Sequence, residues 1–326
     1  MLDRFNALKI YLTSSERRLK VGAFPATTDT KLPNSVHIDT HLVQRLVAAQ
    51  FPEWANIPIK PVEPGGWDNR TFHLGAEMSV RLPSAERYTA QARKEHRWLA
   101  VIAPQLPLPI PIPLALGEPA EGYPWHWSIY GWLKGENASI ERIDDLDQFA
   151  ADLAQFLKAL QRIDPTDAPT PGKSNFFRGG ALATYDTQTR DAIDALRRDI
   201  DSQAAAEIWT SALDAAWLAP PVWLHGDVAA GNLLVHDGRL SAVIDFRQLA
   251  VGDAACDMAI AWTLLTGSSR EVFRTDLAVD DATWARGRGW ALWKALIVLA
   301  KQLKNIADAT GSARRIIDEL IDDWKS

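Results

Sequence analysis

Apolar positions along the chain follow two different periods. From about Asp39, "HIDTHLVQRLVAAQF" sets Val43, Leu46 and Val47 on one face of a helix. The next stretch, "VEPGGWDNRTFHLGAEMSVRLP", predicts two or three short strands, with turns at Gly65-Gly66 and at Gly75-Ala76-Glu77. Ser84 is placed to cap a helix running to about Ala103. "PQLPLPIPIPLALGEP" alternates Pro with apolar residues, which rules out a central strand. It reads as a rigid surface connection, the alternative being a polyproline ligand for a partner domain. "WHWSIYGWLKGENA" predicts an apolar strand ending at Gly135. Helical spacing then takes over: Phe149, Leu153, Phe156, Leu157 and Leu160 fit a long buried helix, and further helical patterns cover roughly 184–217 and 281 onward. The sum is a two-lobed α+β plan. A polar extension spans 1–35, a β-rich lobe 36–134, and a mostly helical lobe 135–326 with a short β segment near 230–245.

Composition narrows the possible partners. A 47% hydrophobic chain of 326 residues can bury one large or two moderate cores. A formal charge of −6 without any basic block argues against a nucleic-acid partner. Cys256, the single cysteine, leaves no disulfide framework and no cysteine-based zinc site. "MLDRFNALKIYLTSSERR" lacks the apolar core of a signal peptide, and charges or Trp interrupt every apolar run before bilayer length. The expectation is a cytoplasmic protein with no membrane partner.

One stretch asks for more than packing. In "LHGDVAAGNLLV", Leu224 to Val235, a strand-like run breaks at His225-Gly226-Asp227 and resumes after Asn232. "NLLVHDGRLSAVIDF" follows, two apolar strands around an Asp-Gly turn, so the chain folds back and brings Asn232 near Asp245. Three oxygen-bearing side chains converge. Mg²⁺ takes hard oxygen ligands, usually one or two carboxylates completed by phosphate and water, a role that suits Asn232 and Asp245. Asp227 is then free to receive a hydroxyl proton, the division of labour of phosphoryl transfer. Taken singly, Asp227 could cap a turn, Asn232 could support it and Asp245 could end a strand; the spacing of all three argues otherwise. A metallophosphoesterase would need further His and Asp ligands after Gly231, and no G-x-S-x-G elbow supports a serine hydrolase.

With these motifs the chain resembles the aminoglycoside phosphotransferase family, small-molecule kinases with a protein-kinase-like fold. The likeness rests on His225-Gly226-Asp227 with Asn232, on Ile244-Asp245-Phe246 and on "VGDAACDMA"; it extends back through "GGWDNRTFHL", "VRLP", the helix with Glu95 and "YGWLKGE", covering about 36–305. It implies Asp227 as catalytic base and Asn232 and Asp245 as Mg²⁺ ligands. ATP or GTP would be the donor, and a hydroxylated small molecule, an aminoglycoside or other antibiotic or a metabolic alcohol, the acceptor. It implies that His225 braces the loop and that Asp257 holds the loop backbone. The turn holding Gly66, Asp68 and Asn69 would cover the phosphates, and Tyr130 and Trp132 would lie in the hinge against the base. Arg81 and Glu95 would form the phosphate-positioning ion pair.

Two departures stand out. Arg81 occupies the strand position where the family commonly places Lys, and Arg247 follows Asp245 by two where kinases usually have Gly. They motivate the rival expectation of a nucleotide-binding pseudokinase. Acidic residues at Asp186, Asp191 and Asp194, and at Asp318, Glu319, Asp322 and Asp323, suggest a cationic acceptor; the plainer reading is solvated helix faces.

Overall fold

The computed structural model describes residues 11–13, 16–20, 37–63, 68–302 and 310–326. The expectations for Gly65, Gly66 and Trp67, and for most of the 1–35 extension, lie outside the described residues. Within that extension β1 (Tyr11–Thr13) and β2 (Glu16–Lys20) pair antiparallel.

Helix α1 (Thr40–Gln50) begins where the Asp39 carboxylate accepts the Leu42 N–H at 2.8 Å, and it buries Leu42, Val43, Leu46 and Val47. Strands β3 (Ile59–Pro61), β4 (Asn69–Leu74) and β5 (Met78–Pro83) follow, then helix α2 (Thr89–Ile102), β6 (Pro113–Gly117) and β7 (Trp127–Gly131). The five strands form an antiparallel sheet in the order β3-β4-β5-β7-β6. Alternation sends Phe72, Leu74, Val80, Leu82 and Ile129 into a core shared with α1. Arg81 leaves the opposite face. The Pro-rich segment leads into β6, an edge strand, as missing N–H donors require. Ser84 does not cap α2; its N–H and hydroxyl both donate to the Asp68 carbonyl, and the helix starts after a 3₁₀ turn at Glu86–Tyr88.

The helical lobe opens with β8 (Glu136–Asn137) and α3 (Leu146–Gln161), whose predicted apolar face is buried in full. The helical stretch near 184–217 divides into α4 (Asp186–Ala195) and α5 (Ser202–Asp214). Strand β9 (Val222–Leu224) precedes the hairpin of β10 (Leu233–His236) and β11 (Arg239–Val243), and β12 (Ala250–Gly252) returns to pair with β9. At the hairpin tip Asp237 and Gly238 have φ of 48° and 73°, the positive values expected of an Asp-Gly turn. Helices α6 (Ile260–Thr263), α7 (Gly267–Leu277), α8 (Asp281–Gln302) and α9 (Thr310–Lys325) complete the chain. Trp98, Leu99 and Ile102 of α2, and Tyr130 of β7, join the core of this second lobe, so α2 bridges the two. Among the described residues no helix is long and apolar enough to cross a membrane.

A buried ion pair ties α8 to the segment that follows β12. Arg286 grips Asp253 with two hydrogen bonds, Nε to Oδ2 at 2.6 Å and Nη2 to Oδ1 at 3.1 Å. Removing one partner of such a pair strands the other charge. Arg286→Ala is therefore expected to cost about 3–5 kcal/mol of unfolding free energy, read by urea denaturation; an unchanged midpoint would show that the pair does not hold α8.

Candidate active site

The loop after β9 is held from below. Both oxygens of the Asp257 carboxylate accept backbone N–H groups, from His225 at 2.8 Å and Gly226 at 2.7 Å. His225 uses both ring nitrogens: Nδ1 accepts the Asp227 N–H at 3.2 Å, so Nε2 carries the proton and donates to the Ile244 carbonyl at 3.0 Å. Gly226 has φ of 84°, and a Cβ there would stand 2.6 Å from the Gln248 carbonyl oxygen. Only glycine fits. These contacts clamp β9, the loop and the end of β11 into one unit, and they point the Asp227 side chain outward from it.

Asp227 is the meeting point. Its backbone carbonyl accepts the Asn232 side-chain N–H at 2.9 Å, and Oδ2 lies 3.4 Å from the same nitrogen. Oδ2 also faces Arg247 Nη2 at 3.4 Å, while Oδ1 accepts from Lys294 Nζ at 2.9 Å. Burial alone would push this carboxyl up. The Lys294 charge and hydrogen bond, with Arg178 and His225 behind it, outweigh burial and hold it below the usual carboxylate range. Asp227 is thus kept ionised.

Asp245 behaves differently. It sits at φ 66°, ψ 66°, a left-handed conformation costly for a residue other than glycine. The Ile244 N–H donates to the Asn232 carbonyl at 2.9 Å, so the hairpin register sets Asn232 and Asp245 side by side. Burial pushes the Asp245 carboxyl up to about 6, against the pull of Arg81. Its Oδ1 is buried without a hydrogen-bond donor, and Arg81 Nη2 stands off at 3.7 Å. A buried carboxylate oxygen with open lone pairs fits a hard cation. So does Asn232, whose amide nitrogen is spent on Asp227 and whose oxygen therefore turns away from it. Among the described residues no three His, Cys, Asp or Glu side chains form a metal cage. Two protein oxygens suit Mg²⁺, which keeps phosphate and water as its other ligands.

From the β-rich lobe, Arg81 reaches Glu95 on α2 (Nη1 to Oε2, 3.5 Å) as well as Asp245. The Tyr130 hydroxyl donates to the same Glu95 oxygen at 2.7 Å, so Tyr130 braces this pair from inside the core. Trp132 stands apart from the network and packs on His73 with ring centroids 4.2 Å apart. Asn69 begins β4, opposite Pro83. Asp68 is buried and ion-paired to Arg247. Arg247 thereby touches three carboxylates at once: Asp68 through Nη1, Asp227 through Nη2, and Asp245 through Nε at 3.4 Å. Its own backbone is tied to α2, because the Lys94 ammonium donates to the carbonyls of Arg247 and Leu249. Burial lowers that ammonium to about 8.

Sequence reading missed Lys294, Arg178 and Lys94. For Lys294 a signal was present: it is the only charged residue between Arg288 and Lys301 on an otherwise apolar run. The acidic positions suggested for a cationic acceptor are mostly spent internally. Asp186 accepts from Arg190 and Trp209, Asp194 pairs with Arg197, and Asp318 pairs with Arg314. Glu319 pairs with Arg270, and Asp323 with Arg270 and Arg288.

Comparison with known proteins bears on the family and the fold. A family profile described as "Phosphotransferase enzyme family" matches residues 59–290. Aminoglycoside 3'-phosphotransferase from Escherichia coli is 30% identical over 74 residues; the match spans 22% of this chain and only 27% of that relative. The GDP complex of aminoglycoside 2'-phosphotransferase-IIIa superposes with a TM-score of 0.64 at 14% identity, covering 88% of this chain and 99% of that one. Macrolide 2'-phosphotransferase type I gives 0.56 at 20% identity, covering 87% and 98%. The overall fold is therefore that of these kinase-like enzymes.

Arg247 is expected to matter for stability in a pH-dependent way. Arg247→Ala leaves three carboxylates without their shared cation and should cost about 1–3 kcal/mol at pH 8. Because the Asp245 carboxyl is raised from 3.8 to about 6, its unpaired charge penalises the folded state above that value and vanishes as the group takes up its proton below it. The deficit should shrink towards pH 5. A deficit that is constant or grows on acidification, in parallel urea titrations, would contradict the shared-cation role.

Proposed function

The chain belongs to the phosphotransferase enzyme family, and on that footing we propose that it is a small-molecule kinase. It transfers the γ-phosphoryl group of ATP or GTP to an acceptor hydroxyl, with Mg²⁺, in the cytoplasm where those nucleotides are held. The observation that carries this reading is the contrast between two neighbouring carboxylates. Asp227 is kept ionised by Lys294, whereas Asp245 beside Asn232 holds a buried oxygen open to a hard cation. Environments that push two such groups apart assign them different tasks.

Asp227 orients the acceptor hydroxyl and takes its proton as the oxygen bonds to the γ-phosphorus. The bond from that phosphorus to the bridging oxygen breaks, and the nucleoside diphosphate leaves with the electron pair. Mg²⁺, held by Asn232 and Asp245, would neutralise and align the phosphate oxygens. Arg81 offers its guanidinium to the phosphates while Glu95 and Tyr130 fix its direction; here an Arg supplies what the family commonly takes from Lys, with a forked rather than a point contact. Asp68 and Asn69, with Gly66, would cover the phosphates, and the segment from Tyr130 to Trp132 would carry the nucleotide base. Both Arg departures are thus drawn into the site, which favours an active kinase over a pseudokinase. The relatives named above carry aminoglycosides and a macrolide in their names, and a metabolic alcohol is the other acceptor that the resemblance allows. Fold alone does not choose between them.

Asp227→Asn tests the assignment. The amide keeps the shape of the side chain but cannot take the proton, so kcat should fall about 10²–10⁴-fold. Coupled-enzyme measurement of nucleoside diphosphate release, with Mg²⁺ and a mixed acceptor panel, reads this directly. Near-normal kcat in the variant would remove Asp227 from the base role.

A further inference from the structure

The acceptor must bring its hydroxyl to Asp227, so the charges around that carboxylate decide what can approach. Its two oxygens face different neighbours. Oδ2 looks towards Arg247 and Asn232, on the side of the residues assigned to phosphate and metal. Oδ1 looks the other way, towards helix α8, where Lys294 meets it at 2.9 Å. The Lys294 side chain is 48% exposed, so it lines the open side of the base rather than a sealed interior. A hydroxyl in hydrogen-bond reach of Oδ1 brings its oxygen within ~6 Å of the Lys294 ammonium.

The carboxylate that balances this cation is Asp227 itself, at 2.9 Å; once Asp227 takes the acceptor's proton, Lys294 loses that counter-charge beside the reacting oxygen. Arg178, a buried cation close enough to act on Asp227, lies over the rings of Trp290 and Trp293, at 4.8 and 5.0 Å from their centroids. Tyr185 packs on Trp293 with centroids 4.1 Å apart, and the Trp293 indole N–H is satisfied by Gln188. This flank is aromatic and cationic. The acidic residues of α4 and α9 that could have received ammonium groups are mostly held by Arg190, Arg197, Arg270, Arg288 and Arg314.

We propose that Lys294 is the specificity-determining residue for the acceptor, and that the acceptor is an uncharged or acidic hydroxyl compound with no ammonium group beside the reacting hydroxyl. This rests on the kinase reading above and adds the substrate class to it. An ammonium next to the reacting carbon would meet Lys294 at close range and compete with it for Asp227. A carboxylate there would gain a partner instead, and a neutral acceptor would meet no like charge.

Matched acceptors isolate charge from shape: glucosamine, N-acetylglucosamine and glucuronate, together with kanamycin and its fully N-acetylated form. Transfer is followed with γ-labelled ATP and GTP, and binding by thermal shift, in wild type, Lys294→Gln and Lys294→Glu. Wild type should favour the N-acetylated or acidic member over its amine twin by about 5- to 10-fold, in kcat/KM or in binding. Lys294→Gln should level the preference and Lys294→Glu reverse it. An amine preferred by wild type, a preference unmoved by Lys294→Glu, or no charge preference in either readout overturns the proposal. Mg²⁺-dependent nucleotide hydrolysis that is lost in Asp227→Asn is measured alongside. Its absence would bring down the kinase reading itself, whereas its presence with a reversed preference brings down the acceptor class alone.

Discussion

Four carboxylates, Asp68, Glu95, Asp227 and Asp245, are gathered where little water reaches them, and the structure depends on the cations that make this tolerable. Two like charges 4 Å apart repel by about 4 kcal/mol at the effective dielectric of a protein site. Arg81, Arg247 and Lys294 supply the compensation, and each comes from a different element. Arg81 links Glu95 to Asp245, Arg247 links Asp68, Asp227 and Asp245, and Lys294 holds Asp227 from the far side. The network is connected but not saturated. Glu95 Oε1, Asp245 Oδ1 and Arg247 Nε remain buried without hydrogen bonds. A cluster built only for stability would close those gaps; one built to receive phosphates and a cation leaves them open.

The fold reads as a device for delivering these groups. Strand alternation projects Arg81 away from the apolar core that fixes β5. Helix α2 carries Glu95 to meet it and Lys94 to tie down the Arg247 backbone, while its apolar face joins the core of the helical lobe. The Asp257 carboxylate and His225 ring fix the loop that presents Asp227. Asp253 and Arg286 anchor α8, and α8 sets Lys294 against Asp227.

Much of this was legible in the sequence where partners are close along the chain. Asp227, Asn232 and Asp245 fall within one loop and one hairpin, and the Asp-Gly turn fixes their register. Alternation in "MSVRLP" sets Arg81 opposite Val80 and Leu82, and Glu95 lies among Ala92, Leu99 and Ile102, where a charge needs a partner; both can be read along the chain. Distant partners were not legible: Lys294 lies 67 positions from Asp227 and Arg247 lies 179 from Asp68, separations that only tertiary packing resolves. Acidic residues on α4 and α9 suggested a ligand because their cations, such as Arg270 for Glu319 and Asp323, sit on other helices. Ser84 looked like a helix cap, yet it serves the Asp68 carbonyl, because the chain needs a 3₁₀ turn before α2 can begin. Tyr130 was assigned to the hinge by likeness to other kinases; its hydroxyl's bond to Glu95, 35 positions back on α2, was not legible.

The central claim is that these carboxylates, neutralised by the chain's own cations, form a site for a magnesium nucleotide. Calorimetric titration of ATP and GTP, with and without Mg²⁺, into wild type and Asp245→Asn addresses it without any acceptor. Mg²⁺ should strengthen nucleotide binding in wild type, and Asp245→Asn should lose that gain while keeping its fold by circular dichroism. Nucleotide binding of equal strength with and without Mg²⁺ in wild type, or a full magnesium gain retained in Asp245→Asn, would contradict the account.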